Sequence, residues 1–180
     1  GSRSRWDDMV GRPGRHSFGV LLGASVGHQI RRSEEAMKTD PKDGTQINAD
    51  VSMQGNRYHF FAAYSRTWKT FKPGVSQNFW RDGMYTTFTY WLNKEWMPYA
   101  RFDYVGAGTQ PGNFKNYAAP GIGISYYPFL FNNKNRFSLE YNYLHNPLSQ
   151  TTVAPDGQLG FVPTTFGPQS SIRLQAQFGF

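Results

Sequence analysis

The chain has 180 residues and no cysteine, which excludes a disulfide scaffold and any thiolate metal site. With 17% aromatic residues it is too rich in rings for a disordered chain. A mean hydropathy of −0.62, and a longest apolar run of only Phe18 to Gly27, exclude spanning helices, which need roughly 18–20 apolar residues. The net charge of +7 comes from scattered Lys and Arg, with Arg31-Arg32 the only adjacent pair, so no nucleic-acid partner is expected.

The length fits a single domain over 1–180. Residues 1–16 lack the apolar core of a secretory signal and read as an N-terminal segment, of a processed chain or an excised piece. From there a two-residue period recurs, the mark of strands whose side chains point to opposite faces in turn. Phe18, Val20, Leu22, Ala24 and Val26 alternate with Gly19, Leu21, Gly23, Ser25 and Gly27. Arg31 to Thr39 is polar all round and reads as a loop. Ile47, Ala49, Val51 and Met53 alternate with Asn48, Asp50 and Ser52; Tyr58, Phe60, Ala62 and Tyr64 with His59, Phe61 and Ala63. Thr86, Phe88, Tyr90 and Leu92 form the next apolar set, then Pro98, Ala100, Phe102 and Tyr104 opposite Tyr99, Arg101 and Asp103. Ile122, Ile124 and Tyr126 precede Phe137, Leu139, Tyr141 and Tyr143, which alternate with Arg136, Ser138, Glu140 and Asn142. Ile172, Leu174, Ala176, Phe178 and Phe180 close the series.

Eight strands are thus expected. Their connections alternate: short turns at Gln54-Gly55-Asn56, Asn93-Lys94-Glu95 and Leu130 to Asn135, and long segments at 28–46, 66–83, 106–116 and 146–170. Short periplasmic turns, long extracellular loops and an even strand number are the habit of outer-membrane barrels. A lipid-facing sheet must also close, because unsatisfied backbone groups cost several kcal/mol there. The expected fold is therefore all-β: a closed transmembrane antiparallel β-barrel of eight strands, in the bacterial outer membrane, with both termini periplasmic. Its aromatics would concentrate at the two interfaces.

The last strand, Ser171–Phe180, resembles the terminal strand of bacterial outer-membrane proteins, which ends in an aromatic preceded by alternating apolar residues. The resemblance implies that Phe178 and Phe180 belong to a C-terminal signal read by the barrel-assembly machinery. Asp82–Gly106, with Tyr90-Trp91-Leu92, a short turn and Pro98-Tyr99-Ala100-Arg101-Phe102-Asp103, resembles a hairpin near the C-terminus of phosphate-selective porins of the O/P family. Those porins are larger barrels that form trimeric channels, so this likeness implies that the chain corresponds to their C-terminal half.

The inward charges decide between plug and pore. Asp50, Asp103 and Glu140 face Arg101, Arg136 and Arg173, three of each sign, and such balance is expected of an ion-pair network filling a narrow lumen. An anion pore would instead carry an excess of inward Arg and Lys. None of His16, His28, His59 and His145 has metal-ligand spacing to another. His145, Ser149 and Asp156 could form an outer-leaflet lipid-hydrolysing site, a third-ranked alternative, and Gly106-Ala107-Gly108 lacks the context of a dinucleotide loop. Inward glycines such as Gly121 and Gly123 read as relief of crowding. In the predicted loops, Trp68, Phe71, Phe79, Trp80, Phe161 and Phe166 could contact lipopolysaccharide or a protein partner. The leading expectation is a structural or interaction barrel without enzymatic activity, cofactor or metal, in contact with outer-membrane lipid; the runner-up is a porin-type channel for small solutes.

Overall fold

The structure is a computed structural model, and it describes residues 18–30, 43–71, 78–106, 108, 116–128, 135–145 and 168–178. The fold is all-β. Eight strands follow one another: β1 (Gly19–Ile30), β2 (Asp43–Gln54), β3 (Tyr58–Thr70), β4 (Phe79–Tyr90), β5 (Trp96–Gly106), β6 (Tyr117–Tyr126), β7 (Arg136–Leu144) and β8 (Gln169–Gln177). They form one antiparallel sheet in sequence order. No helix among the described residues is long and apolar enough to cross a membrane, which says nothing about crossing by strands.

Period two in the sequence becomes two chemically distinct faces because paired residues share a side of the sheet. One row crosses all eight strands as Val20, Met53, Phe60, Phe88, Ala100, Ile122, Tyr141 and Ile172, every member apolar. The neighbouring row, on the other face, runs Gly19, Gln54, His59, Thr89, Tyr99, Gly123, Glu140 and Arg173. Burial is inverted relative to a water-soluble core. Along β7 the apolar Phe137, Leu139, Tyr141 and Tyr143 are exposed, while Ser138, Glu140, Asn142 and Leu144 are buried.

Closure is where the structure departs from expectation. β1 and β8 are not paired with each other, and the sheet is open. The hairpins fix only neighbour pairings, and no residue pattern ties β1 to β8. On the polar face β1 offers Gly19, Leu21, Gly23, Ser25, Gly27 and Gln29, three of them without a side chain. Along β1 nearly every residue is exposed on both faces.

Loop lengths are also less regular than expected. β3 and β4 continue to Thr70 and from Phe79, so their connection is only 71–78, one residue shorter than 127–135 between β6 and β7. Strict alternation of long and short connections therefore fails. What obscured these strand ends is a pair of charges on the apolar face, Arg66 and Asp82, which face each other across β3 and β4. β1 begins and β8 ends at the same margin of the sheet as 55–57, 91–95 and 127–135. Turn chemistry at that margin is specific. Arg57 takes a positive φ of 78°, and Asn93 Oδ1 accepts from the backbone N–H of Glu95 and Trp96 at 2.8 and 2.9 Å.

Candidate functional site

The polar face is densest over β5–β8, around a cavity of about 200 Å³ lined in part by Tyr85, Tyr99, Arg101, Arg136, Glu140 and Arg173. Glu140 is its hub. Its carboxylate accepts from Tyr99 Oη at 2.7 Å, Asn142 Nδ2 at 2.8 Å and Arg173 Nη2 at 3.2 Å, with Arg101 Nη1 at 3.5 Å. Only 3% of Glu140 is exposed; a carboxylate so placed is tolerable because charged and neutral donors surround it. Arg101 also pairs with Asp103, its Nη2 and Nε donating to Oδ2 at 2.7 and 3.0 Å, and its guanidinium lies over the Tyr85 ring.

This cluster depends on β6. Gly123 sits directly between Tyr99 and Glu140, and Gly121 between Arg101 and Asn142. A Cβ at Gly123 would lie 2.5 Å from Tyr99 Oη, and one at Gly121 would lie 3.0 Å from Arg101 Cγ and against Asn142 Oδ1. Side chains of β5 and β7 thus meet across the bare backbone of β6. That role goes beyond the relief of crowding read from the sequence.

Of the charges expected to face inward together, Arg101, Asp103, Glu140 and Arg173 are connected by ion pairs. Arg136 lines the same cavity, but its Nε makes no hydrogen bond. Asp50 stands apart. It has no ion pair among the described residues, and its carboxylate overlies Gly23 on β1, beside the open edge. The expected numerical balance does not hold either. With β3 and β4 longer than predicted, Lys69 and Arg81 join the polar face near the long-loop margin, both beside the Phe79 ring. Among the described residues, bases on the polar face outnumber acids five to three, as Lys69, Arg81, Arg101, Arg136 and Arg173 against Asp50, Asp103 and Glu140.

The aromatics assigned to loops divide differently. Trp68, Phe79 and Trp80 lie on strands, and Phe71 immediately follows β3. Trp68 and Trp80 form a cross-strand pair on the apolar face, with the Arg66 guanidinium 5.7 and 4.6 Å from their rings. Arg66 donates to Asp82 through Nε at 2.6 Å and Nη2 at 3.1 Å, and Tyr64 Oη donates to Asp82 at 2.5 Å. Sequence reasoning missed this pairing; its signal was an Arg and an Asp flanking two tryptophans across a connection. At the opposite margin Trp96 stacks on Tyr126, and Phe178 meets Phe137 edge-on. Trp91, Met97 and Tyr127 form a buried cluster, and burial raises the Tyr127 phenol above its ordinary pKa.

Phe161, Phe166, Phe180, Ser149 and Asp156 lie outside the described residues, as does the segment 1–16. His145 is described just beyond β7, 6.5 Å from the Tyr143 ring. His59 is buried, with Nε2 2.9 Å from Ser52 Oγ. Among the described residues no group of three or more His, Asp or Glu could hold a metal ion. Comparison with protein families, with curated proteins and with solved structures finds no match, and the porin likeness of Asp82–Gly106 gains no support from it.

Proposed function

We propose that this sheet is a stretch of the wall of an outer-membrane β-barrel, completed by further strands into a passage for small solutes. The observation that carries the reading is the inverted burial. In water, a face bearing Leu22, Val26, Ile122, Ile172 and Leu174 at 64–79% exposure would aggregate, whereas lipid is its natural solvent. The dimensions agree. From Tyr58 to Trp68 on β3 is ten residue steps, which at about 3.3 Å each and a tilt of about 40° spans roughly 25 Å of membrane. Toward the upper end of that height the apolar face turns polar with the Arg66–Asp82 pair, and Asp43 lies just past it, as at a headgroup boundary. On this assignment the margin with 55–57 and 91–95 is periplasmic.

Two unpaired edges favour a barrel wider than eight strands, because each carries the same alternation as its neighbours and neither can remain bare in lipid. A wider barrel leaves an aqueous lumen, and the surplus of basic residues on the polar face would give it a preference for anions. A second reading, an eight-stranded barrel with a filled interior, draws support from the full burial of Ser125, Asn142 and Leu144 on that face. Planar-bilayer recording separates the two. A channel gives stable, anion-preferring conductance steps that become less selective in Lys69→Gln/Arg81→Gln; a filled barrel inserts and stays silent. Solubility without detergent would defeat both.

A further inference from the structure

We infer that Gly121 and Gly123 are positioning residues that set the width of the passage, by holding the Tyr99–Arg101–Glu140–Asn142 layer flat against the wall. This rests on the channel reading and concerns the bore of that same lumen.

Tyr99 and Arg101 are the large polar-face residues of the middle of β5, and on a pleated strand such side chains stand away from the sheet. Here they do not need to. In the Tyr99 row the next strand offers Gly123, so the ring lies over β6 and its hydroxyl reaches Glu140 on β7 at 2.7 Å. In the Arg101 row the next strand offers Gly121, so the stem of Arg101 and the amide of Asn142 share the space above that glycine. The two glycines are one strand period apart and form a shallow saddle. Glu140 then draws four donors from β5, β7 and β8 into the plane of the wall. A charged residue bound sideways to its neighbours is withdrawn from the lumen. The same residues without the saddle would project into it.

The two glycines differ in what a methyl group would displace. At Gly121 the three nearest atoms it meets are side-chain atoms of Asn142 and Arg101, of which Arg101 borders the cavity; at Gly123 they include the backbone carbonyl of Leu139 at 2.8 Å. Gly121→Ala is therefore the informative variant, and Tyr99→Phe, which cuts the tether to Glu140 and leaves both glycines intact, is the second. The test is single-channel recording of the full-length protein in planar bilayers, with heat-modifiable gel mobility confirming the folded state. Gly121→Ala should lower unit conductance roughly twofold by pushing Arg101 inward, and Gly121→Ala/Arg101→Ala should restore it. Tyr99→Phe should add open-channel noise without loss of folded protein. Wild-type conductance in Gly121→Ala, or a deficit that Arg101→Ala does not relieve, overturns the inference while leaving the channel standing. A wild-type protein that never conducts removes the channel reading, and the inference with it.

Discussion

The two halves of the polar face are built differently. Over β5–β8, Glu140, Asn142, Ser138 and Ser125 are buried, and ion pairs join Arg101, Asp103, Glu140 and Arg173. Over β1–β3 the same face carries one buried contact, Ser52 with His59, and beyond it Ser25, Asn48, Gln46 and Ser65 in an exposed chain of neutral hydrogen bonds of 2.8–3.1 Å, with Gly19, Gly23 and Gly27 at the edge. Yet on the turn side of the Arg66–Asp82 pair the apolar face runs across both halves. The outward surface answers to one solvent everywhere, whereas the inward surface differs from half to half. One half braces the wall, and the other leaves space beside it.

Substitutions on the two halves should differ in cost. The largest effect is expected at the hub. Glu140→Ala removes the buried carboxylate that Arg101 and Arg173 share, while Arg101 keeps Asp103, and should cost about 3 kcal/mol in urea unfolding from lipid vesicles. Leu139→Arg, one residue away but on the apolar face, should cost about 2–4 kcal/mol in vesicles. In detergent-free water the same charge would improve solubility, so the sign of its effect reports the solvent of that face. Tyr99→Phe removes one hydrogen bond to a carboxylate and should cost about 1.5 kcal/mol. Asp50→Asn, in the sparse half and without an ion pair among the described residues, should stay within about 0.5 kcal/mol. A loss at Asp50 as large as that at Glu140 would erase the distinction between the halves.

Much of this was legible in the sequence, for a local reason. Alternation is a property of consecutive residues, so all eight strands and the sides taken by Arg101, Asp103, Glu140 and Arg173 could be read directly. Strand ends were misjudged where Arg66 and Asp82 interrupt an otherwise apolar face, because each charge is acceptable only through the other, across a turn. Closure could not be read, since it concerns two strands with the whole chain between them. Nor could the saddle: Tyr99 meets Glu140 only when the registers of two hairpins bring a glycine between them.

Because the chain has no cysteine, the lipid-facing side of the sheet can be probed one position at a time. Single cysteines at Leu22, Phe88, Ile122, Leu139 and Leu174, and at Ser25, Thr87, Ser138 and Gln175, would each carry a spin label in the membrane-reconstituted protein. Labels of the first set should collide with oxygen dissolved in the bilayer, and those of the second set should collide with a water-soluble relaxation agent or be shielded by protein. Water-exposed labels at Leu139 and Leu174 would contradict the lipid-facing assignment.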